Sequence, residues 1–122
     1  MPKILIVDDD EYVIKTFSQT LIKRGFDVEA VTTGEQALDQ LKHSSFDLAL
    51  IDVCLPDMKG TELLSQAKKE LDSTAKILIT GFPSVETSEK AKLEGVDTYI
   101  IKPIKMDELV SIVNFFLKQK KE

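Results

Sequence analysis

The sequence predicts an α/β domain: a doubly wound, five-stranded parallel sheet with five helices on its two faces. Three observations predict it. Five short apolar runs, too short for helices and too apolar for loops, alternate with segments of helical periodicity. Such strict alternation calls for parallel strands joined by right-handed helical crossovers. Four of the five runs also end in groups suited to phosphate or metal chemistry, Asp8 and Asp9, Asp52, Thr80 and Lys102, which a parallel sheet gathers at one edge.

Ile4-Leu5-Ile6-Val7, rich in β-branched residues, is the first strand and runs into Asp8-Asp9-Asp10-Glu11. The first helix carries Val13, Ile14, Phe17 and Leu21 on one face and Lys15, Gln19, Lys23 and Arg24 elsewhere, and Gly25 closes it. Asp27 to Val31 alternates weakly, as a less buried second strand does. Thr33 with Gln36 forms a capping-box pattern for a second helix bearing Ala37, Leu38 and Leu41. Leu48 to Ile51 is a buried third strand ending in Asp52, after which Pro56 and Gly60 impose a loop. The third helix is expected from about Thr61 to Leu71, with Leu63, Leu64 and Ala67 inward. Lys76 to Ile79 gives the fourth strand, ending in Thr80-Gly81. Ser84 is the expected N-cap of a fourth helix to about Glu94, ended by Gly95. Asp97 to Ile101 is the fifth strand, ending in Lys102-Pro103, and the last helix buries Met106, Leu109, Val110, Val113 and Leu117.

The 122 residues suit one domain spanning 1–122, without repeat, low-complexity tract or linker. Hydrophobic content of 43% and charged content of 30% are ordinary for a globular chain. A net charge of -5 argues against nucleic acid or anionic membrane as a direct partner. The single cysteine, Cys54, cannot form an internal disulfide, and the four apolar residues after Met1-Pro2-Lys3 fall short of a signal peptide or membrane span. A cytoplasmic domain is therefore expected.

At the polar edge, crowded carboxylates repel and raise one another's pKa unless a cation sits among them. A hard cation with oxygen ligands, Mg²⁺ above all, answers that need. Lys102 can neutralise a phosphoryl group and the Thr80 hydroxyl can bond one of its oxygens. Asp52 is the candidate nucleophile, since carboxylates form acyl phosphates, and the added charge can act as a switch.

Asp8-Asp9, Asp52 with Pro56 and Gly60, Thr80-Gly81, Tyr99 and Lys102-Pro103 together resemble the receiver domain of a two-component response regulator, over essentially the whole chain. The resemblance implies a flavodoxin-like sheet of order 2-1-3-4-5. It implies Asp52 as phosphoacceptor from a histidine kinase, phosphotransfer protein or small phosphodonor. Mg²⁺ would sit on Asp9, Asp52 and the backbone carbonyl of Cys54, with Asp8 acting through water. Thr80 and Tyr99 would be the switch pair, Lys102 would hold the phosphate, and the Lys102-Pro103 bond would be cis. The output surface would be helix four, strand five and helix five, meeting an effector or downstream protein, with homodimerisation as a further option. The chain would be a signalling module rather than an enzyme, catalysing only its own Mg²⁺-dependent phosphorylation and dephosphorylation. Lys59 departs from the family, which more often has a small polar or acidic residue there. Phe82 and Cys54 lie at positions that tune dephosphorylation, and a bulky Phe82 is expected to shield the acyl phosphate.

Plainer roles compete at several positions. Asp10 and Glu11 suit the positive end of a helix dipole. His43 is an ordinary surface histidine, and Lys118, Lys120 and Lys121 suit a helix end. Phe115 falls opposite the buried stripe of the last helix, either as a scattered exposed residue or as part of a partner surface. Three rival functions have sequence-level objections. An aspartate phosphohydrolase using Asp8 and Asp10 would have Tyr12 where a small residue is usual. A flavin module would need a hydroxyl- and glycine-rich loop where this chain has acids. A docking scaffold that is never phosphorylated would not need the complete Asp, Thr and Lys set.

Overall fold

The expected alternation is realised in the computed structural model, which describes residues 1–121 and side chains through Gln119. The side chains of Lys120 and Lys121 lie outside the described residues; Lys118 is exposed. The elements run β1 (Lys3–Val7), α1 (Glu11–Lys23), β2 (Asp27–Val31), α2 (Gly34–His43), β3 (Leu48–Asp52), α3 (Gly60–Gln66), β4 (Ala75–Thr80), α4 (Val85–Leu93), β5 (Thr98–Ile101) and α5 (Met106–Lys121). All strand pairs are parallel and the order is β2-β1-β3-β4-β5.

Alternate residues of the central strands feed two cores, one on each face. Ile4 and Ile6 of β1, Leu48 and Leu50 of β3 and Ile77 and Ile79 of β4 pack with Phe17 and Leu21 of α1 and Val113 and Leu117 of α5. Leu5, Val7, Ala49, Ile51 and Leu78 face the other way, onto Leu41 of α2, Leu63 and Leu64 of α3 and Ala91 of α4. Every residue of β3 is buried, which is why that strand reads as a continuous apolar run rather than an alternation. Edge strand β2 buries none of its residues fully.

Local chemistry sets most boundaries. Asp10 caps α1, its carboxylate accepting the Tyr12 and Val13 N–H groups, and Glu11 lies in the first turn. Ser84 caps α4 through the Thr87 N–H. Gly25 and Gly95 follow α1 and α4 with φ of 92° and 79°, a conformation that favours glycine. Thr33 accepts the Gln36 N–H as expected, but the return bond from Gln36 Oε1 reaches Thr32, one residue earlier than a capping box requires.

The third helix is shorter than expected. It ends at Gln66, and hydrogen-bonded turns carry the chain on, with the Leu71 N–H donating to the Ala67 carbonyl. Leu71 is still fully buried, so its apolar spacing was real although the regular helix had ended. Lys76 Nζ donates to the Leu71 and Thr74 carbonyls and closes the segment. Met106 is only partly buried in α5, and Phe115 is 55% exposed with its ring edge-on to Phe116. His43 is exposed, its Nδ1 2.8 Å from the Asp39 carbonyl oxygen. Among the described residues, no helix is long and apolar enough to cross a membrane.

Leu50→Ala should lower stability by about 2–5 kcal/mol, because it opens a cavity in the fully buried central strand. Phe115→Ala should cost less, about 0.5–1.5 kcal/mol, the worth of its edge-on pair with Phe116. Urea unfolding of the two variants checks both.

Candidate functional site

The register of the sheet places the polar strand ends side by side. Val7 pairs with Ile51, so Asp8 and Asp52 follow on neighbouring strands. Asp52 pairs with Ile79 and Thr80 with Ile101, which brings Thr80 and Lys102 to the same edge. One oxygen each from Asp8, Asp9 and Asp52 lies within 4.8 Å of the others.

Asp8 is fully buried. Its Oδ1 accepts the Asp10 N–H at 2.9 Å, and its Oδ2 lies 3.0 Å from Lys102 Nζ. That second contact is an ion pair without hydrogen-bond alignment, so Oδ2 keeps unused acceptor capacity inside the protein. Lys102 Nζ also stands 3.7 Å from Asp52 Oδ2. Burial works against the charge of Lys102, yet the close Asp8 carboxylate and the charges of Asp52 and Asp10 outweigh it and raise its pKa above the ordinary lysine value. The ammonium is thus fixed as a cation.

Asp52, 8% exposed, has its pKa pushed up from 3.8 to about 6. Burial is the largest cause and the Asp8 charge the next, partly offset by Lys102 and by the Cys54 N–H. That N–H donates to Asp52 Oδ1 at 3.3 Å, folding the start of the β3–α3 loop over the carboxylate. A single ammonium does not balance three acids. Asp8 Oδ2, ion-paired but without an aligned hydrogen bond, and the raised Asp52 pKa both mark a place where a further cation would be bound favourably. An all-oxygen donor set of this kind suits Mg²⁺, and Asp8, Asp9 and Asp52 are the carboxylates close enough together to hold it.

The other expected residues have distinct surroundings. Thr80 is buried, and its Oγ1 accepts the Phe82 N–H at 3.0 Å, which leaves the hydroxyl proton available. Tyr99 is half-buried on β5, and its hydroxyl has no well-aligned hydrogen-bond partner although Ser88 of α4 is nearby. Burial pushes the phenol pKa upward, with Ser88 opposing. The Lys102-Pro103 bond is cis. Cys54 is exposed and its thiol is free. Phe82 is 90% exposed, which corrects the expectation that its ring shields the site: the loop before the Ser84 cap turns it into solvent. Asp10 Oδ1 caps the α1 N-terminus, accepting the Tyr12 and Val13 N–H groups, which is the plainer role expected of it.

Two contributions need the fold to be seen. Gly60 enters the sequence as a loop former and as part of the family pattern, but the reason for it is structural: any Cβ there would collide with the Asp52 backbone oxygen, so glycine is required for α3 to start against the acidic strand end. Its N–H donates to the Val53 carbonyl at 2.7 Å. Asp57 gave no signal at all, because its partners, the Gly34 and Glu35 N–H groups, lie more than twenty residues away.

Comparison with known proteins agrees with this geometry. A family model for the response regulator receiver domain matches residues 4–114. The cell cycle transcriptional regulator CtrA of Caulobacter vibrioides is 29% identical over 119 residues, which cover 98% of this chain and 52% of CtrA. The regulatory protein LuxO of Vibrio vulnificus is 35% identical over 109 residues, covering 89% of this chain and 24% of LuxO. This chain therefore spans about half the length of CtrA and about a quarter of the length of LuxO. Among solved structures, a CheY-like response regulator receiver domain protein from Methanospirillum hungatei superposes with a TM-score of 0.96 at 37% identity, covering 99% of this chain and 97% of that one.

The raised Asp52 pKa has a measurable effect on stability. The folded carboxyl holds its proton to higher pH than the unfolded one, so its ionisation destabilises the fold. The penalty is absent below about pH 4, grows as pH rises towards 6 and is complete above it. In chelator-containing buffer, Asp52→Asn should therefore be more stable than wild type by roughly 1–3 kcal/mol at pH 7.5 and equal to it at pH 4. Urea unfolding of the two proteins at both pH values checks this.

Proposed function

We propose that this chain, which belongs to the response regulator receiver domain family, is switched by phosphorylation of Asp52. The observation that carries the reading is the buried Asp8–Lys102–Asp52 arrangement beside Asp9, with Thr80 on the adjoining strand end. Receiver domains are signalling modules that work between kinases and effectors, and residues 1–122 would act as one such unit in the cytoplasm.

Above about pH 6 Asp52 is mainly ionised and able to act as a nucleophile. A carboxylate oxygen attacks the phosphorus of a kinase or phosphotransfer-protein phosphohistidine. An O–P bond forms, the N–P bond breaks, and the imidazole leaves with the bonding pair. With acetyl phosphate the leaving group is acetate. Water later attacks the phosphorus, the carboxyl O–P bond breaks, and inorganic phosphate leaves as the Asp52 carboxylate is restored. Mg²⁺, held by Asp9, Asp52 and the Cys54 carbonyl, with Asp8 reaching it through water, would neutralise charge on the phosphoryl oxygens when bound. Lys102 already stands beside Asp52 and pairs with one phosphoryl oxygen; the free Thr80 hydroxyl proton is donated to another.

Once Thr80 turns to the phosphoryl group, the Tyr99 ring moves inward behind it and alters the face made by α4, β5 and α5. That face carries exposed Val85, Leu93, Ile101 and Phe115, and a groove of about 520 Å³ lined by Pro83, Val85, Ser88, Lys92, Tyr99 and Ile101 runs along it. An effector domain, a downstream protein or a second copy of the chain would dock there. The chain acts on no substrate beyond its own phosphoryl group.

Incubation with acetyl phosphate and Mg²⁺ should add one acid-labile phosphoryl group, seen by intact-protein mass spectrometry. The gain should be abolished by chelator and by Asp52→Asn. A gain that persists in Asp52→Asn, or that is indifferent to Mg²⁺, would overturn the assignment.

A further inference from the structure

The loop that carries Cys54 is fastened at its far end by a contact that the chemistry above does not use. Residues 53–60 form a tight reversal: the Leu55 N–H donates to the Met58 carbonyl, the Gly60 N–H to the Val53 carbonyl, and Cys54 and Lys59 pair as an antiparallel bridge. At the tip, Asp57 Oδ1 accepts the Gly34 N–H and Oδ2 the Glu35 N–H, both at 2.9 Å. These are two of the first N–H groups of α2, which have no partner within the helix. The third, on Gln36, is satisfied by Thr33. Beside this tie Met58 packs over Gly34 so closely that a Cβ on Gly34 would meet its Cγ and Sδ at 2.5 Å. The two N–H groups also hold the Asp57 carboxyl below its ordinary pKa.

The tip of the loop is thus anchored to α2, and its base is anchored to Asp52 through the Cys54 N–H and the close approach of Gly60. We infer that Asp57 is a positioning residue for cation binding, its two hydrogen bonds to the α2 N-terminus holding the β3–α3 loop so that the Cys54 carbonyl stays beside Asp52. Asp57 does not touch the cation. It acts as outer partners of metal ligands do, by removing the freedom of a ligand that would otherwise have to be ordered on binding. The inference rests on the reading of Asp9, Asp52 and Cys54 as the Mg²⁺ ligands.

The test is the Mg²⁺ dissociation constant of the unphosphorylated protein, measured by calorimetry, with Tm recorded alongside. Asp57→Ala should weaken Mg²⁺ binding by about tenfold, the low end for loss of an outer-shell partner. Asp57→Asn, which keeps one acceptor, should recover part of the loss. Met58→Ala, which loosens the same tip without changing charge, should also weaken binding. Two controls separate positioning from other causes. Thr33→Ala removes the neighbouring α2 cap without touching the loop, and Glu35→Gln removes one negative charge at the same place; both should bind Mg²⁺ as wild type does. A dissociation constant for Asp57→Ala within about twofold of wild type, whatever its Tm, overturns the inference. So does a weakening that Glu35→Gln or Thr33→Ala reproduces. If wild type binds no Mg²⁺, the metal reading itself falls, and this inference with it.

Discussion

Asp8 and Asp52 are buried at adjacent strand ends, and Lys102 Nζ lies 3.0 Å from one and 3.7 Å from the other. The rest of the site follows from that arrangement. Two acids in a low-dielectric interior cannot both ionise without nearby positive charge, so the lysine has to come from β5, the strand two places from β3. Even so, burial and the Asp8 charge outweigh the lysine, and the Asp52 pKa is raised. A site left short of positive charge favours ligands that bring a cation.

The imbalance has to be held in place, and the sheet does this with two apolar faces. Because β1 and β3 send alternate residues to opposite cores, neither strand can slip by one residue without moving each inward residue into the wrong layer. Asp8 and Asp52 are therefore held by their neighbours' packing as well as by their own contacts to Asp10, Cys54 and Lys102. Beyond the strands, close backbone contact takes over. Gly60 lets α3 begin directly against the Asp52 carbonyl, and Asp57 joins the other end of the loop to α2. The reactive edge is thus framed by elements from both halves of the chain.

The opposite side of β5 is built differently. α4 buries only Ala91 and leaves Val85 and Leu93 in solvent, next to exposed Ile101 and a half-buried Tyr99 whose hydroxyl has no well-aligned partner. An element with so little buried apolar area is held weakly and can shift at small cost. A firmly packed acidic edge thus lies beside a lightly packed face. The relatives CtrA and LuxO extend well beyond the length matched here, so in those proteins the domain is one part of a larger chain.

Much of this was legible in the residues alone. The five apolar runs, the caps at Thr33 and Ser84 and the stops at Gly25 and Gly95 are local signals, since each reports which backbone conformation or solvent exposure its own residues tolerate. The polar strand ends Asp8, Asp9, Asp52, Thr80 and Lys102 could be assigned to one edge because parallel topology alone requires it. Where a second segment decides the outcome, sequence reasoning erred or was silent. The apolar spacing ran to Leu71, but the helix stopped at Gln66, because burial of Leu71 was achieved by a turn as readily as by a helix. Phe82 promised cover for the site, but the loop ahead of α4 faces it outward. Asp57 looked like any loop acid until the fold set it against the bare N–H groups of α2. The sequence by itself determined the order of the strands' chemistry and the stretches of chain that must be buried. Only the tertiary structure decided which acid carries a raised pKa, which glycine cannot be replaced and which loop carboxylate is tied down, because each depends on atoms brought together from distant parts of the chain.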